Sequence, residues 1–205
     1  MADEAKVKRN RFLLRTKEKE DLNQYWYSAK SIAAMAAEVV ATGGKACFIS
    51  TPSIYFSLTK EQREGNYVFD LDTQWEKDPG FVRYDFNEPE NFPEELRHAF
   101  DMIVVDPPFI TREVWEKYAT TMRLLAKERS GEVDTGAGGE EEKKDEPPCR
   151  FLVSTIAENA EMMEELLGVK PQAFKPSIPN LVYQYNLYAN YESEGLSVPN
   201  PEIPE

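Results

Sequence analysis

The chain has 205 residues, 41% of them hydrophobic, which is enough for one globular domain with a buried core. Two cysteines and one histidine cannot make a four-ligand Cys/His zinc site, and they leave little for nucleophilic Cys/His chemistry. The net charge is −13, yet residues 1–20 carry +3, residues 130–148 carry −5 and the rest carries −11, so the body repels phosphate backbones and suits a basic protein partner better.

In chain order, residues 1–20 are polar without a clear apolar stripe and read as a flexible, loosely helical arm. An aromatic cluster follows, Asn23-Gln24-Tyr25-Trp26-Tyr27-Ser28, with Ser28 placed to cap a helix over 29–42. Gly43-Gly44 stops that helix. Ala46 to Ser50 is a short apolar run between turn residues, the mark of a buried parallel strand. Thr51-Pro52-Ser53 turns, and Ile54 to Glu64 is expected as helix. Further strands are predicted at Tyr67–Asp72, Phe81–Asp85 and Phe100–Asp106, then a helix over Thr111–Lys127. Residues 128–148 hold Gly, Glu, Lys, Asp and Pro with almost no apolar side chains, and are expected as a disordered acidic surface insertion. A fifth strand at Arg150–Thr155, a helix at Asn159–Leu167, and strands at Gln172–Pro176 and Val182–Tyr191 complete a domain over 21–192. Residues 193–205 read as a Pro-rich tail. Strands alternating with helices predict a mostly parallel, doubly wound α/β sheet, and the last two strands, with no helix between them, an antiparallel closing pair.

In such a sheet, ligands bind beyond the carboxyl ends of the strands. Three expected strands end in acid, at Asp72, Asp85 and Asp106, which places several carboxylates along one rim. A nucleoside needs such groups, since a carboxylate accepts both ribose hydroxyls and another meets the adenine amino edge. Each acid taken alone also reads as a cap for its following turn. Asp106-Pro107-Pro108-Phe109 is the sharper signal. Consecutive prolines fix φ and remove two donors, holding the chain extended just past the strand. The carboxylate and the carbonyls can then accept from an amine, with Phe109 as a flat apolar wall.

These residues resemble the class I S-adenosylmethionine methyltransferases with the [DNS]-P-P-[YFW] amino-methylation motif. More narrowly, they resemble the family first labelled N6-adenine methyltransferase and now associated with lysine methylation of translation elongation factor 1-alpha. The matching pieces run in order over about residues 22–192: Asn23 to Ser28, Ser50 to Tyr55, Phe69 to Asp72, Tyr84 to Asn87, Phe100 to Phe109 and Glu164 to Lys170. The resemblance implies a seven-stranded, Rossmann-like sheet and S-adenosyl-L-methionine as cofactor, leaving as S-adenosyl-L-homocysteine, with no metal. It implies that Ser50, Thr51, Pro52 and Ser53 face the methionine part. Asp72 is expected to meet the ribose, with Asp70 the second choice, and Asp85 and Phe86 to frame the adenine. Tyr25, Trp26, Tyr27 and Ser28 are expected to close over the cofactor, or to act as a packing staple. Asp106 to Phe109 are expected to hold the target amine, with Asp106 also bordering the cofactor and orienting the amine, whose proton leaves to water or to a base the sequence does not identify.

The first loop lacks the G-x-G pattern of most methyltransferases, as in the resembled family, and the acidic insertion departs from that family's pattern. The reading is a monomeric, cytoplasmic protein-lysine methyltransferase acting on elongation factor 1-alpha, without a membrane or a nucleic-acid partner. Its rivals are an adenine-N6 methyltransferase on DNA or RNA, which the motif permits and the charge disfavours, and a silent binding module on the same fold.

Overall fold

A computed structural model describes residues 10–129 and 147–204. The insertion expected over 128–148 therefore falls almost entirely outside the described residues, as do residues 1–9 of the arm. Seven strands form one sheet: β1 (Ala46–Ile49), β2 (Tyr67–Asp70), β3 (Phe81–Arg83), β4 (Met102–Val105), β5 (Arg150–Ile156), β6 (Lys170–Pro171) and β7 (Tyr185–Ala189). The order is β3-β2-β1-β4-β5-β7-β6. β1 to β5 pair in parallel, and β7 runs antiparallel to both β5 and β6. The sixth strand lies earlier than the expected 172–176, and it is only two residues long.

The helices are α1 (Arg11–Arg15), α2 (Ala29–Thr42), α3 (Pro52–Tyr55), α4 (Lys60–Arg63), α5 (Arg112–Leu125) and α6 (Ala160–Leu167). Local chemistry sets their limits. Ser28 Oγ accepts from Ser31 N at the start of α2, and Gly43, with φ +68°, ends it in the left-handed region where a side chain would be strained. The single helix expected over 54–64 splits in two because Thr59 forms a capping box with Gln62 and starts α4 afresh. Thr111 caps α5 through Val114 N.

The pleat of each central strand divides its side chains between two cores. Cys47, Ile49, Ile103, Val105 and Val153 pack with Trp115, Tyr118 and Met122 of α5 and Met163 and Leu167 of α6. Ala46, Phe48, Met102, Val104 and Leu152 pack with Ile32, Met35 and Val39 of α2 and Ile54 and Tyr55 of α3. Helices thus cover both faces, which is why the strands read as continuous apolar runs. Cys47 and Cys149 are both buried and free.

Both ends of the chain depart from the sequence reading. Residues 10–20, expected as part of a flexible arm, pack against the body. Phe12 of α1 is buried, with its ring centroid 5.1 Å from Trp26 and 5.7 Å from Trp75. One aromatic residue in a polar run has no periodic partner to announce it, so periodicity misses such an anchor. The expected tail over 193–205 also docks: Leu196 is fully buried in the core beneath α2, and Ser193 Oγ donates to Glu38 Oε1 at 2.6 Å. No described helix is long and apolar enough to cross a membrane.

Candidate active site

The strand order reverses between β1 and β4, and a crevice opens there beyond their carboxyl ends. In register Ile49 lies opposite Val105, and Val105 opposite Val153. The residue that follows on each strand is Ser50, Asp106 and Ser154: Ser50 and Asp106 line the crevice, and Ser154 is buried beside Asp106. Asp106 N donates to Ile49 O at 3.3 Å, which ties the first two together. Ser50 has φ +56°, a strained value for a residue with a side chain, at the point where a glycine-rich loop would otherwise turn. Its Oγ lies 2.8 Å from Tyr118 Oη.

Of the residues singled out in the sequence, Tyr25, Trp26, Ser50, Pro52, Asp70, Asp85, Phe86, Asp106, Pro107, Pro108 and Phe109 all line this one cleft. Phe109 is 52% exposed at the mouth and lies edge-on to Phe86, with centroids 6.3 Å apart. Thr51 and Ser53 are buried in the backbone of the turn instead; Thr51 Oγ1 donates to Val104 O, and Ser53 O accepts from Ser57 Oγ. Ser28 caps α2 away from the cleft and bonds Glu202. Tyr27 lies beneath the floor, not in the walls.

Asp72 needs correcting as the first choice for a ligand carboxylate. It is absent from the cleft lining, and its oxygens are taken by Lys19 Nζ at 2.7 and 2.9 Å, by Gln24 Nε2 at 3.1 Å, and by Gln74 through backbone and side chain. Burial raises its pKa, but these donors outweigh burial and hold it below the ordinary carboxylate range. The reason is local: β2 ends at Asp70, so Asp72 turns to cap the 3-10 turn Thr73–Trp75. Asp70 faces the cleft in its place. Burial raises its pKa to about 7, against the pull of the Asp72 N–H, which donates to it at 2.8 Å.

Lys19 on Asp72, Glu18 accepting from Trp26 N at 2.7 Å, and Asn23 donating to Pro108 O fasten the N-terminal segment across the cleft. Lys19→Met is expected to cost about 1 kcal/mol, or about 3 °C in Tm, and to expose residues 10–24 to protease. An unchanged Tm and digestion pattern would remove that ion pair from the closure.

Asp106 keeps some contact with the cleft solvent, yet the protein crowded around it pushes its pKa up to about 7, with the nearby hydroxyls of Tyr27 and Ser154, the latter hydrogen-bonded to it, pulling back. Reading the sequence missed Tyr84, Tyr118, Tyr185, Ile178, Leu181 and the cleft role of Asn23 and Gln24. Only Tyr84, Asn23 and Gln24 lay in segments already singled out. Tyr185 comes from β7, across the sheet, and nothing in its neighbourhood along the chain marks it.

The donor set fits an adenosyl group. Two carboxylates stand on the rim at Asp70 and Asp85, aromatic side chains wall it, and Gln24 Oε1 and Trp26 Nε1 are buried without a partner in cleft-lining residues. Among the described residues no group of three or more His, Cys, Asp or Glu is placed to hold a metal ion.

Comparison with known proteins agrees with this geometry. The family model described as "Probable N6-adenine methyltransferase" matches residues 18–193. The protein named EEF1A lysine methyltransferase 1 of Homo sapiens is 31% identical over 84% of this chain and 74% of its own length. Protein-lysine N-methyltransferase EFM5 of Saccharomyces cerevisiae is 27% identical over 86% of this chain and 73% of its own. Among solved structures, a branched-chain polyamine synthase from Thermus thermophilus, in complex with N4-aminopropylspermidine and 5'-methylthioadenosine, superposes with a TM-score of 0.53 at 14% identity. It shares the fold, and this chain, 91% of it covered, spans 64% of that protein's length. The chain is thus an α/β methyltransferase belonging to the family described as "Probable N6-adenine methyltransferase".

Proposed function

We propose that the chain is an S-adenosylmethionine-dependent protein-lysine N-methyltransferase, acting in the cytoplasm on translation elongation factor 1-alpha. The observation that carries this reading is one cleft, at the point where strand order reverses, lined by both Asp70 and Asp106-Pro107-Pro108-Phe109. Relatives named as protein-lysine methyltransferases support the substrate class, and relatives named for EEF1A, those of human and chicken among them, support the target. The acidic body suits a basic protein surface rather than a phosphate backbone.

When bound, S-adenosylmethionine supplies a methyl group on a sulfonium, open to in-line attack by a neutral amine. Asp70 would hold the ribose hydroxyls, Asp85 and Phe86 the adenine, and Ser50 and Pro52 the methionine end, with Tyr25 and Trp26 covering the group from the N-terminal segment. A lysine ammonium has no lone pair and an ordinary pKa of about 10.4. The apolar walls of Phe86, Phe109 and Tyr185 penalise the charged form, so the side chain gives its proton to water at the mouth before it is enclosed. Asp106 and the proline carbonyls then accept from the remaining N–H bonds and aim the lone pair. These residues work by holding and aligning two reactants in a dry site, with no covalent intermediate on the protein.

The test is methylation of a cell lysate with tritiated cofactor, followed by nuclease or protease, and then of purified elongation factor 1-alpha. Label is expected to survive nuclease and to be lost to protease. Label lost to nuclease would transfer the reading to adenine, and no label on the purified factor would reject that target.

A further inference from the structure

Tyr27 and Ser154 are both buried, Tyr27 at 2% exposure and Ser154 at 0%, and neither touches the cleft as a wall. They come from unconnected elements. Tyr27 directly precedes the Ser28 cap of α2, whose backbone N–H donates to Ser177 O at 2.8 Å, so helix and loop together fix its position. Ser154 lies on β5, next to Asp106 across the parallel pairing with β4. Ser154 Oγ donates to Asp106 Oδ1 at 2.9 Å, and Tyr27 Oη lies 2.6 Å from Ser154 Oγ. A serine hydroxyl has one proton. With that proton on Asp106, the Tyr27 phenol is the donor to Ser154. The three groups make one directed chain, from phenol to hydroxyl to carboxylate, and among the described residues the other carboxylate oxygen takes no protein hydrogen bond.

We propose that Tyr27 and Ser154 are positioning residues for methyl transfer, acting through Asp106: they clamp one carboxylate oxygen, keep the group ionised in a site that disfavours charge, and leave the other oxygen for the target amine. The proposal rests on Asp106 being the acceptor of that amine. Two buried hydroxyls aligned on one acid would be a costly way to fill space. Replacing them by apolar groups would pack as well, without needing partners. A chain of donors strengthens its last bond by polarisation, and a bond to a charged acceptor is stronger than a neutral one. The other titratable groups facing Asp106 are the phenols of Tyr118 on α5 and Tyr185 on β7, both neutral near pH 7 and neither a source of positive charge. The hydroxyl pair therefore does what a lysine or arginine beside the acid would do, without a cation that would oppose the positive charge developing on the nitrogen as it is methylated.

The sign of the pH effect follows. Donors to a carboxylate favour its charged form, so removing them raises its pKa. Tyr27→Phe and Ser154→Ala are expected to move the acidic limb of kcat/KM up by about one pH unit, lowering the rate about fivefold at pH 7 and far less at pH 9. Cofactor affinity, followed by calorimetry, is expected to stay within about threefold, because neither residue lines the cleft. Ser154→Thr keeps the hydroxyl and is expected to return the limb to its original place. In an Asp106→Asn background, Tyr27→Phe is expected to add nothing further. Transfer that persists in both variants with an unmoved limb would overturn the proposal. Absence of transfer by the unaltered chain would instead overturn the function on which it rests.

Discussion

Asp106→Ala is expected to lower kcat/KM by at least about a thousandfold, about 4 kcal/mol of transition-state stabilisation, while cofactor affinity changes by less than about threefold. The loss is large because the amine is aligned by few groups. Without the carboxylate, only the backbone carbonyls between Asp106 and Phe109 remain to orient it, and small misplacements of a reacting atom cost orders of magnitude. Folding is expected to survive. The acid stands in surroundings that push its pKa to about 7, so its removal relieves a desolvation cost, although Ser154 loses an acceptor. Single-turnover methylation with bound cofactor, beside a thermal melt, separates the two effects. A variant that keeps a tenth of the activity would show that the carbonyls suffice and would take Asp106 out of the transfer step.

Asp70→Asn is expected to do two opposite things: to weaken cofactor binding at least tenfold and to stabilise the free protein at alkaline pH. The buried carboxyl has a pKa of about 7 in the fold, against about 3.9 in an unfolded chain. A group whose folded pKa is raised binds more protons when folded, so stability falls as pH rises between those two values. Above pH 7 the ionised acid costs on the order of 2–4 kcal/mol, and below about pH 4 the cost vanishes. Asparagine keeps an oxygen for the Asp72 N–H without the charge. Its Tm should therefore exceed that of the parent at pH 8 by several degrees, with the gap narrowing through pH 5 and closing near pH 4. A gap independent of pH would mean that Asp70 does not titrate in this range. Undiminished cofactor affinity would mean that the ribose is met elsewhere. Holding a costly charge at a ligand site is the usual trade of stability for function.

The strands were legible because burial on both faces leaves four or five apolar residues between turn residues, a run too short for a buried helix, as in Ala46–Ile49 and Met102–Val105. The amine-binding motif was legible because proline's constraints act on its immediate neighbours, so Asp106-Pro107-Pro108-Phe109 carries its geometry with it. The helices capped by Ser28 and Thr111 were legible for the same reason, since a cap and its helix lie within four residues.

What sequence could not decide was direction and distance. Asp70 and Asp72 are two residues apart and chemically identical, but only the end of β2 and the arrival of Lys19, 53 residues away, turn one to the cleft and the other to an ion pair. Tyr27 reads as one more aromatic in a cluster until α2 docks and sets its phenol against β5. Tyr185 joins the cleft only because β7 folds back antiparallel beside β5. The docking of Phe12 and Leu196 depends on surfaces built by other elements. Local patterns fix φ, ψ and which side chains seek burial. Which groups finally meet depends on contacts between residues far apart in the chain, and those arise only when the whole sheet and its helices have closed.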